Sequence, residues 1–510
     1  MELLFVPEDA MALEKFKTDF SGDFHNFINN EFVPPGSNEY LDTEDPYTGK
    51  KWANIPRSNA SDVNKAVESA KNAKESWAAT NPVKRGRLLF RLAELIDKNY
   101  EELASIEVRD NGKLYAEMVG QTQYIAEYFR YYAGLADKIE GRVISTDKSN
   151  MFNYTLFEPL GIIGMITPWN SPLMLLTWKL APALAAGNVA VIKPSEFTSS
   201  STLVFMNLIK EAGFPPGVIN VVCGLGKEAG SAIVNHPDIA KIAFTGSDQS
   251  GQIIYEAAAK GIKHVCLELG GKSPNIVFED ADLDAAVAGV ISGIFAASGQ
   301  TCIAGSRLLL QSSIYKDFMT KLLDVASKAK VGNPMLPDTN VGPVATKPQF
   351  EKVLDYIDIG KSEGAKCVLG GDVFKGDGPQ GGLMVQPTIF TECNNNMRIA
   401  REEIFGPVLS TITFDTEDQA FSIANDTAFG LGAGIWTNDI GKAHDGASRI
   451  NAGTVWVNTY RVVSYTSPFG GYKRSGIGKE GGMEAIMEYV QTKSVWICTK
   501  PNTDNPFVMR

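Results

Sequence analysis

The stretch LGIIGMITPWNSPLMLLTWKLAPALAAGNVAVIKPSE, residues 160–196, decides the fold. It opens on a short apolar run, 161–166, that reads as a buried strand. It turns at Thr167-Pro-Trp-Asn170, continues through an apolar segment (178–186) that reads as a helix, and enters a second apolar run at Val189-Ala-Val-Ile. The same alternation continues downstream. Residues 199–211 read as helix, 218–222 as strand, 227–235 as helix, 241–244 as strand, 251–260 as helix and 264–268 as strand. Strands that are apolar on both faces and alternate with helices specify a parallel sheet with helices on both sides.

Working outward, 61–134 has helical periodicity. Ser61-Asp62 is placed to cap one helix and Asn81-Pro82 to start another. Residues 139–157 read as an extended, paired connection. From 270 to about 467 a second α/β region follows, with strands predicted at 275–278, 307–310, 409–414 and 453–457. Residues 285–297 are apolar, but too short for a membrane span and broken by Gly289, Ser292 and Gly293, so they read as a buried helix. Residues 493–499 read as a lone terminal strand that must pair somewhere, another subunit being one partner for it.

The bulk numbers exclude several classes. A chain of 510 residues exceeds one simple core, and 44% hydrophobic with 21% charged residues is ordinary globular composition. A net charge of −11 argues against a nucleic-acid partner, which needs clustered Lys and Arg. Six scattered cysteines with no CxxC fit free thiols in a reducing compartment, hence the cytoplasm. Four histidines without metal-ligand spacing give no reason to expect a metal site. The acidic start, 1–20, has neither the basic nor the apolar region of a secretory signal, and its role is left open.

Four constellations carry chemistry. Gly299-Gln-Thr-Cys-Ile-Ala-Gly-Ser-Arg307 sets Cys302 among small residues that would admit a reacting carbonyl. A free thiol near pKa ~8.5 needs an electropositive niche or a base to react, and without one it is inert filling. Glu268-Leu-Gly-Gly puts a carboxylate at a strand end, where doubly wound sheets bind ligands, and burial would make it a better base. Asn170, in a turn after the first strand, carries a neutral amide able to stabilise an oxyanion. Lys193-Pro-Ser-Glu196 and Phe244-Thr-Gly-Ser247 follow strands as a variant dinucleotide site would. Gly224-Leu-Gly-Lys-Glu-Ala-Gly230 nearly matches a phosphate loop, but reads better as a strand–helix turn.

Taken together and in order, these motifs resemble the aldehyde dehydrogenase superfamily. The resemblance rests on Thr167-Pro-Trp-Asn, Lys193-Pro-Ser-Glu, Phe244-Thr-Gly-Ser, Glu268-Leu-Gly-Gly-Lys-Ser, Gly299-Gln-Thr-Cys, Glu402-Glu-Ile-Phe-Gly-Pro-Val and Pro468-Phe-Gly-Gly-Tyr-Lys. It spans roughly residues 27–495.

The resemblance implies a Rossmann-like cofactor domain (20–138 and 158–268), an α/β catalytic domain (269–470) and a small β oligomerisation element (139–157 and 485–500), hence a homodimer or homotetramer. It implies Cys302 as nucleophile, Glu268 as base, Asn170 with the Cys302 N–H as oxyanion hole, and Lys179 and Glu480 in a proton path. Ile166, Thr167, Trp169, Lys193, Ser195, Glu196, Gly226, Gly230, Phe244, Gly246, Ser247, Leu269, Glu403 and Phe405 match cofactor-contacting positions. Glu196 would repel a 2′-phosphate, so NAD is expected, with NADP as the alternative.

Trp178, Ser171, Thr301, Ile303, Arg461, Val463 and Phe469 match positions around the substrate. Where relatives acting on simple aliphatic aldehydes have aromatic residues, this chain has Ser171, Ala296 and Val463, so a wider or more polar channel is expected. Arg461 is a candidate partner for a substrate carboxylate, as in a semialdehyde; its bland alternative is a rim arginine bonded to the protein. Glu268 argues for a free-acid product. A CoA-acylating enzyme and a non-catalytic structural member are the competing readings.

Overall fold

A computed structural model describes residues 22–376, 378, 379, 381–501 and 507. The acidic segment 1–20 lies outside the described residues. The helical region is three helices, Ala60–Ala78, Pro82–Asn111 and Tyr115–Leu135. The first is capped by Asn59 rather than by Ser61-Asp62. The Asn59 side chain accepts from Ser61 N, and Asp62, at the third helical position, reaches back to the Asn59 N–H. Asp62 is therefore the reciprocal half of a capping box, inside the helix. Asn81 and Pro82 start the second helix as expected, Asn81 Oδ1 accepting from Val83 N at 2.9 Å.

The strands of the decisive stretch lie in an eight-stranded sheet. Its central order is His264–Glu268, Ile239–Thr245, Ile162–Ile166, Val189–Lys193, Ile219–Val221, all parallel. In chain order the first strand sits beside both the second and the fourth. Strand order therefore reverses next to Ile162–Ile166, and the crevice beyond the carboxyl ends of Ile162–Ile166 and Ile239–Thr245 is the topological switch point. Gly164 makes the packing possible on one face, since a Cβ there would stand 2.7 Å from the Ile233 side chain. The sheet is closed at its edges by antiparallel pieces, Gly476–Ile477 on one side and Asn26–Ile28 with Glu31–Val33 on the other.

A second sheet of seven strands runs Lys366–Leu369, Thr388–Thr391, Val408–Phe414, Arg307–Gln311, Pro274–Val277, Gly432–Trp436, Thr454–Val457, parallel except for the first. Residues 269–273 lead from the carboxyl end of His264–Glu268 in the first sheet to the amino end of Pro274–Val277 in the second. That direct link sets the two sheet ends against each other. The apolar 285–297 segment is the helix Leu283–Phe295, stopped by Ala297 and Ser298, both at φ 53°. Two consecutive non-glycine residues in the left-handed region cost about 1–3 kcal/mol each and persist only where packing over-determines them.

The terminal strand, Val490–Cys498, does not wait for another subunit. It pairs antiparallel with Met151–Pro159 of its own chain over nine residues, and Met151–Pro159 carries Val143–Ile144 on its other side. The expected extended connection at 139–157 and the terminal strand are thus one small sheet. Its faces and edge leave Trp496, Ile497, Phe152 and Leu156 exposed.

Candidate active site

Loops from both sheets meet at the switch point. Glu268 ends its strand 4% exposed, and neither carboxylate oxygen has a hydrogen-bond partner among the described residues. Gly270 and Gly271 follow because nothing larger fits. A Cβ on Gly271 would lie 2.5 Å from the Cys302 carbonyl oxygen, and one on Gly270 would collide with the Glu403 carboxylate. Gly470, of the Pro468-Phe-Gly-Gly motif, lies so close to Glu268 that its Cβ would be 2.8 Å from Oε1. Three of the other quoted motifs therefore each touch Glu268-Leu-Gly-Gly.

Cys302 is half-buried, just after the left-handed turn at Ala297-Ser298. Burial, then the Glu268 and Glu403 carboxylates, push its thiol up to about 12; the N–H groups of Ile303 and Cys302 itself pull it down. Among the described residues the charges that weigh most on the sulfur are negative, so of the two aids expected for a reactive cysteine it is a base, not an electropositive niche, that lies near it. Burial first, and the Glu480 charge second, also raise the Glu268 carboxyl well above its usual range, against the pull of Lys179 and Lys479.

Asn170, 7% exposed, donates from Nδ2 to Gln300 O at 2.9 Å. An amide nitrogen has two hydrogens, so one remains available beside the Cys302 loop. Gln300 locks that loop in turn, its Oε1 accepting from Ala345 N at 2.8 Å. Lys179 is fully buried on the helix Pro172–Ala185. It donates to Thr245 Oγ1 at 2.5 Å and to Glu480 Oε1 at 2.5 Å, while Glu480 Oε2 is unpartnered. Glu480 is itself held by a two-way backbone bridge with Phe469.

The residues matched to a cofactor gather at neighbouring strand ends. Thr167 N donates to Lys193 O at 3.1 Å, and Thr167 Oγ1 is buried without a partner. Ile166 ends its strand beside Lys193. Lys193 Nζ bonds Glu196 Oε2 at 3.1 Å and Pro194 O at 2.9 Å, and Ser195 O receives the Ser199 hydroxyl. Ser247 caps the helix Asp248–Lys260. The Phe244 ring lies over Gly246, and Leu269 packs on Gly251. Gly230 lies against the Lys193 stem, whereas a Cβ at Gly226 would meet nothing; residues 226–230 form one π-helical turn leading into Ser231–Asn235. Trp169 and Phe405 meet edge to face at 5.2 Å. Glu403 accepts from Gly271 N at 3.0 Å, and burial raises its carboxyl to about 7.

Of the residues matched to the substrate, Trp178 stacks on Tyr128 and meets Phe469 edge-on. Tyr465 touches Tyr124, Tyr128 and Tyr131. Tyr124, Tyr128 and Tyr131 all come from the helix Tyr115–Leu135. Val463 O accepts from Tyr124, Ile303 O from Tyr460, and Thr301 Oγ1 is buried and unpartnered. Arg461, at φ 66°, donates to Ser292 O at 2.9 Å. Ser171 accepts from Lys113, a residue that reading the sequence did not single out; a lysine just after a helix-ending glycine looks solvated, yet Lys113 is 2% exposed. Among the described residues no helix is long and apolar enough to cross a membrane, and no cluster suits a metal ion.

Residues 32–495 match the model of the family described as "Aldehyde dehydrogenase family". Aldehyde dehydrogenase 1A1 of Bos taurus is 46% identical over 478 residues, covering 92% of this chain and 94% of its own length. (Z)-2-((N-methylformamido)methylene)-5-hydroxybutyrolactone dehydrogenase of Acinetobacter baylyi is 44% identical, covering 96% of this chain and 99% of its own. Among solved structures, betaine aldehyde dehydrogenase of Staphylococcus aureus, in complex with NAD+, superposes with a TM-score of 0.94 at 37% identity, over 98% of this chain and 99% of that one. An aldehyde dehydrogenase of Bacillus cereus gives 0.93 at 43%, over 97% and 100%.

Proposed function

The chain belongs to the aldehyde dehydrogenase family, and from that premise we propose that it oxidises an aldehyde to the free acid, with Cys302 as nucleophile and Glu268 as the base that activates water. The observation that carries this reading is the Glu268 carboxylate, buried beside the Cys302 loop with neither oxygen bonded to protein. A structural carboxylate at that depth would be paired. An unpaired one keeps its lone pairs free for a water's proton.

The strand ends fit a dinucleotide. Thr167 Oγ1 is an orphaned polar atom at the crevice, the Asp248–Lys260 helix presents its amino end there, and the Glu196 carboxylate is oriented by Lys193. Thr167, Lys193, Glu196, Ser247, Glu403 and Phe405 are the residues assigned to hold it. NAD, found with the Staphylococcus aureus relative, would supply a hydride acceptor. Glu196 favours NAD over NADP by repelling a 2′-phosphate.

The remaining steps belong to the protein. The Cys302 sulfur bonds to the aldehyde carbon as its proton leaves for solvent or Glu268. The free Asn170 hydrogen and the Cys302 N–H receive the oxygen that becomes negative. Loss of hydride leaves a thioester on Cys302. Glu268 takes a proton from water, whose oxygen bonds to the acyl carbon. The C–S bond breaks, and the proton of the new carboxylic acid passes to the leaving sulfur, so that the acid departs as its carboxylate and the thiol is restored. Lys179 and Glu480 carry that proton away from Glu268. A CoA-acylating enzyme would have no use for an unpaired base at 268. Assay with and without CoA separates the two: acid in both cases supports this reading, and acyl-CoA formed only with CoA refutes it.

The free edge of Val490–Cys498 and its exposed Trp496 and Ile497 support a homodimer or homotetramer. Six unpaired cysteines suit the cytoplasm.

A further inference from the structure

One face of the first sheet carries a line of ionisable side chains that leads away from Glu268. Alternate residues of a strand share a face, and parallel partners point the same way, so Lys241, Ala243 and Thr245 lie beside His264, Cys266 and Glu268. At the inner end Lys179 joins Thr245 to Glu480, whose Oε2 has no partner. At the outer end Lys241, 1% exposed, donates from Nζ to Glu488 Oε2 at 2.7 Å and to Glu488 O at 2.8 Å. The Glu488 side chain is 28% exposed, so it is the carboxylate of the line that meets solvent.

Polar groups bridge the two ends. A Cβ on Gly478 would meet Cys266 Sγ at 3.0 Å and Glu488 Oε1 at 3.1 Å, so sulfur and carboxylate approach each other across that glycine. Lys241 engages the other oxygen of Glu488, and Oε1 has no hydrogen bond among the described residues. The backbone of Gly478 also reaches toward Glu268: a Cβ on Gly470 would stand 2.8 Å from Gly478 O and 2.8 Å from Glu268 Oε1. The Tyr489 hydroxyl is buried without a partner, in the field of Cys266, Glu480 and Glu488. A buried hydroxyl is ordinarily bonded. One left free between two carboxyl groups can accept a proton from the first while it gives its own to the second.

Resting on the reading of Glu268 as the base for hydrolysis, we propose that Glu488 is the outlet of the proton path, reached from Glu480 through the Tyr489 hydroxyl. The proton that Glu268 takes from water arrives on Glu480 Oε2. It passes to the Tyr489 oxygen as the hydroxyl's own hydrogen passes to Glu488 Oε1, and Glu488 gives it to bulk water. Each hop breaks one O–H bond and forms another. No electrons are transferred, and water is the only co-reactant. Lys241 holds Glu488 at this post by its side chain and its carbonyl. Glu488 touches no substrate atom; it acts by clearing what Glu268 has collected.

The test follows NADH and released protons together by stopped flow, with a pH-indicating dye in weak buffer and saturating NAD and aldehyde. Glu488→Gln keeps an oxygen for Lys241 and removes the acid. Its first-turnover burst of NADH should remain, while steady turnover and proton arrival at the dye fall about tenfold or more. Imidazole, a diffusible proton carrier, should restore at least half of the loss at fixed pH and ionic strength. Tyr489→Phe should show a smaller loss of the same kind, and Glu488→Asp should keep most of the rate. Proton arrival in Glu488→Gln as fast as in the wild type overturns the proposal, as does a loss that imidazole leaves unchanged, which is what a merely structural role would give.

If Glu488→Gln does not fold because Lys241 is left uncompensated, the double variant Glu488→Gln, Lys241→Met removes both charges. The same imidazole-dependent loss is expected there, and a rate insensitive to imidazole overturns the proposal. Failure of the underlying reading looks different: Glu268→Gln would then hydrolyse its acyl-enzyme at the wild-type rate, and the outlet would have nothing to carry.

Discussion

Glu268 and Glu480 are both buried glutamates, 4% and 2% exposed, and the charge of Glu480 raises the Glu268 carboxyl, yet the protein treats them in opposite ways. Glu480 is bonded to Lys179, and its backbone is clamped to Phe469 in both directions. Glu268 has nothing on either oxygen, although Gly470 brings backbone close to it. Removing one partner of a buried pair typically costs about 3–5 kcal/mol, because the other charge is left uncompensated; a carboxyl unpaired from the outset meets that penalty whenever it ionises. The paired group is held in place to receive a proton, and the unpaired one is kept available to take a proton from water.

The contrast can be broken most severely at its neighbour. Cys302→Ala should abolish aldehyde-dependent NADH formation while leaving the fold intact; residual steady turnover would remove the nucleophile from the scheme. Asn170→Ala should come next, lowering kcat by about 10²–10³, the usual effect of losing one oxyanion donor. An unaltered kcat would mean that the amide serves only to hold Gln300.

pH sharpens the comparison. Because burial and the Glu480 charge raise the Glu268 carboxyl, its base form appears only above the ordinary carboxylate range, so a hydrolysis-limited rate should climb with pH at values where a solvated glutamate is already fully ionised. Glu480→Gln removes the negative neighbour and leaves Lys179 positive. Both changes ease ionisation of Glu268, and the climb should move to lower pH, alongside a loss of stability near the cost given above. A shift to higher pH would contradict the assignment of Glu480 as the group pressing on Glu268.

The smallest effect concerns the sulfur. Glu268→Gln takes away the carboxylate that weighs most, after burial, on the Cys302 thiol. The pH profile for alkylation by iodoacetamide should therefore move to lower pH in that variant, and an unmoved profile would place the two side chains farther apart than the structure does.

Much of this was legible in the sequence. The parallel strands of 161–268 announce themselves as apolar runs between helical segments, and the quoted motifs fall at strand ends because that is where the chain must turn and where a ligand is met. Other elements left weak signals. Gly432–Trp436 contains Gly432 and Gly434, poor strand formers, but a Cβ at Gly434 would strike Asn275 Oδ1 at 2.5 Å, so tertiary packing overrides propensity. The amino-terminal strands Asn26–Ile28, Tyr40–Asp45 and Lys50–Pro56 are short or polar and take their stability from pairing with residues far along the chain or across a hairpin. The cap at Asn59 was misplaced by two residues because Ser, Asp and Asn crowd that start. Lys113 was invisible for a different reason: nothing local tells a solvated lysine from one folded inward, and only the approach of Ser171 from another helix decides it. The sign of the field at Cys302 was likewise unreadable, since Glu268 and Glu403 reach it from separate segments.

Glu268→Gln under single-turnover conditions bears most directly on the central claim. With NAD and aldehyde, the variant should give a burst of NADH close to one per active site and then stall, with the acyl group found on Cys302 by mass spectrometry of the intact protein. Continued turnover at the wild-type rate, or the absence of any burst with no acyl adduct, would contradict the account of Glu268 as the base for hydrolysis.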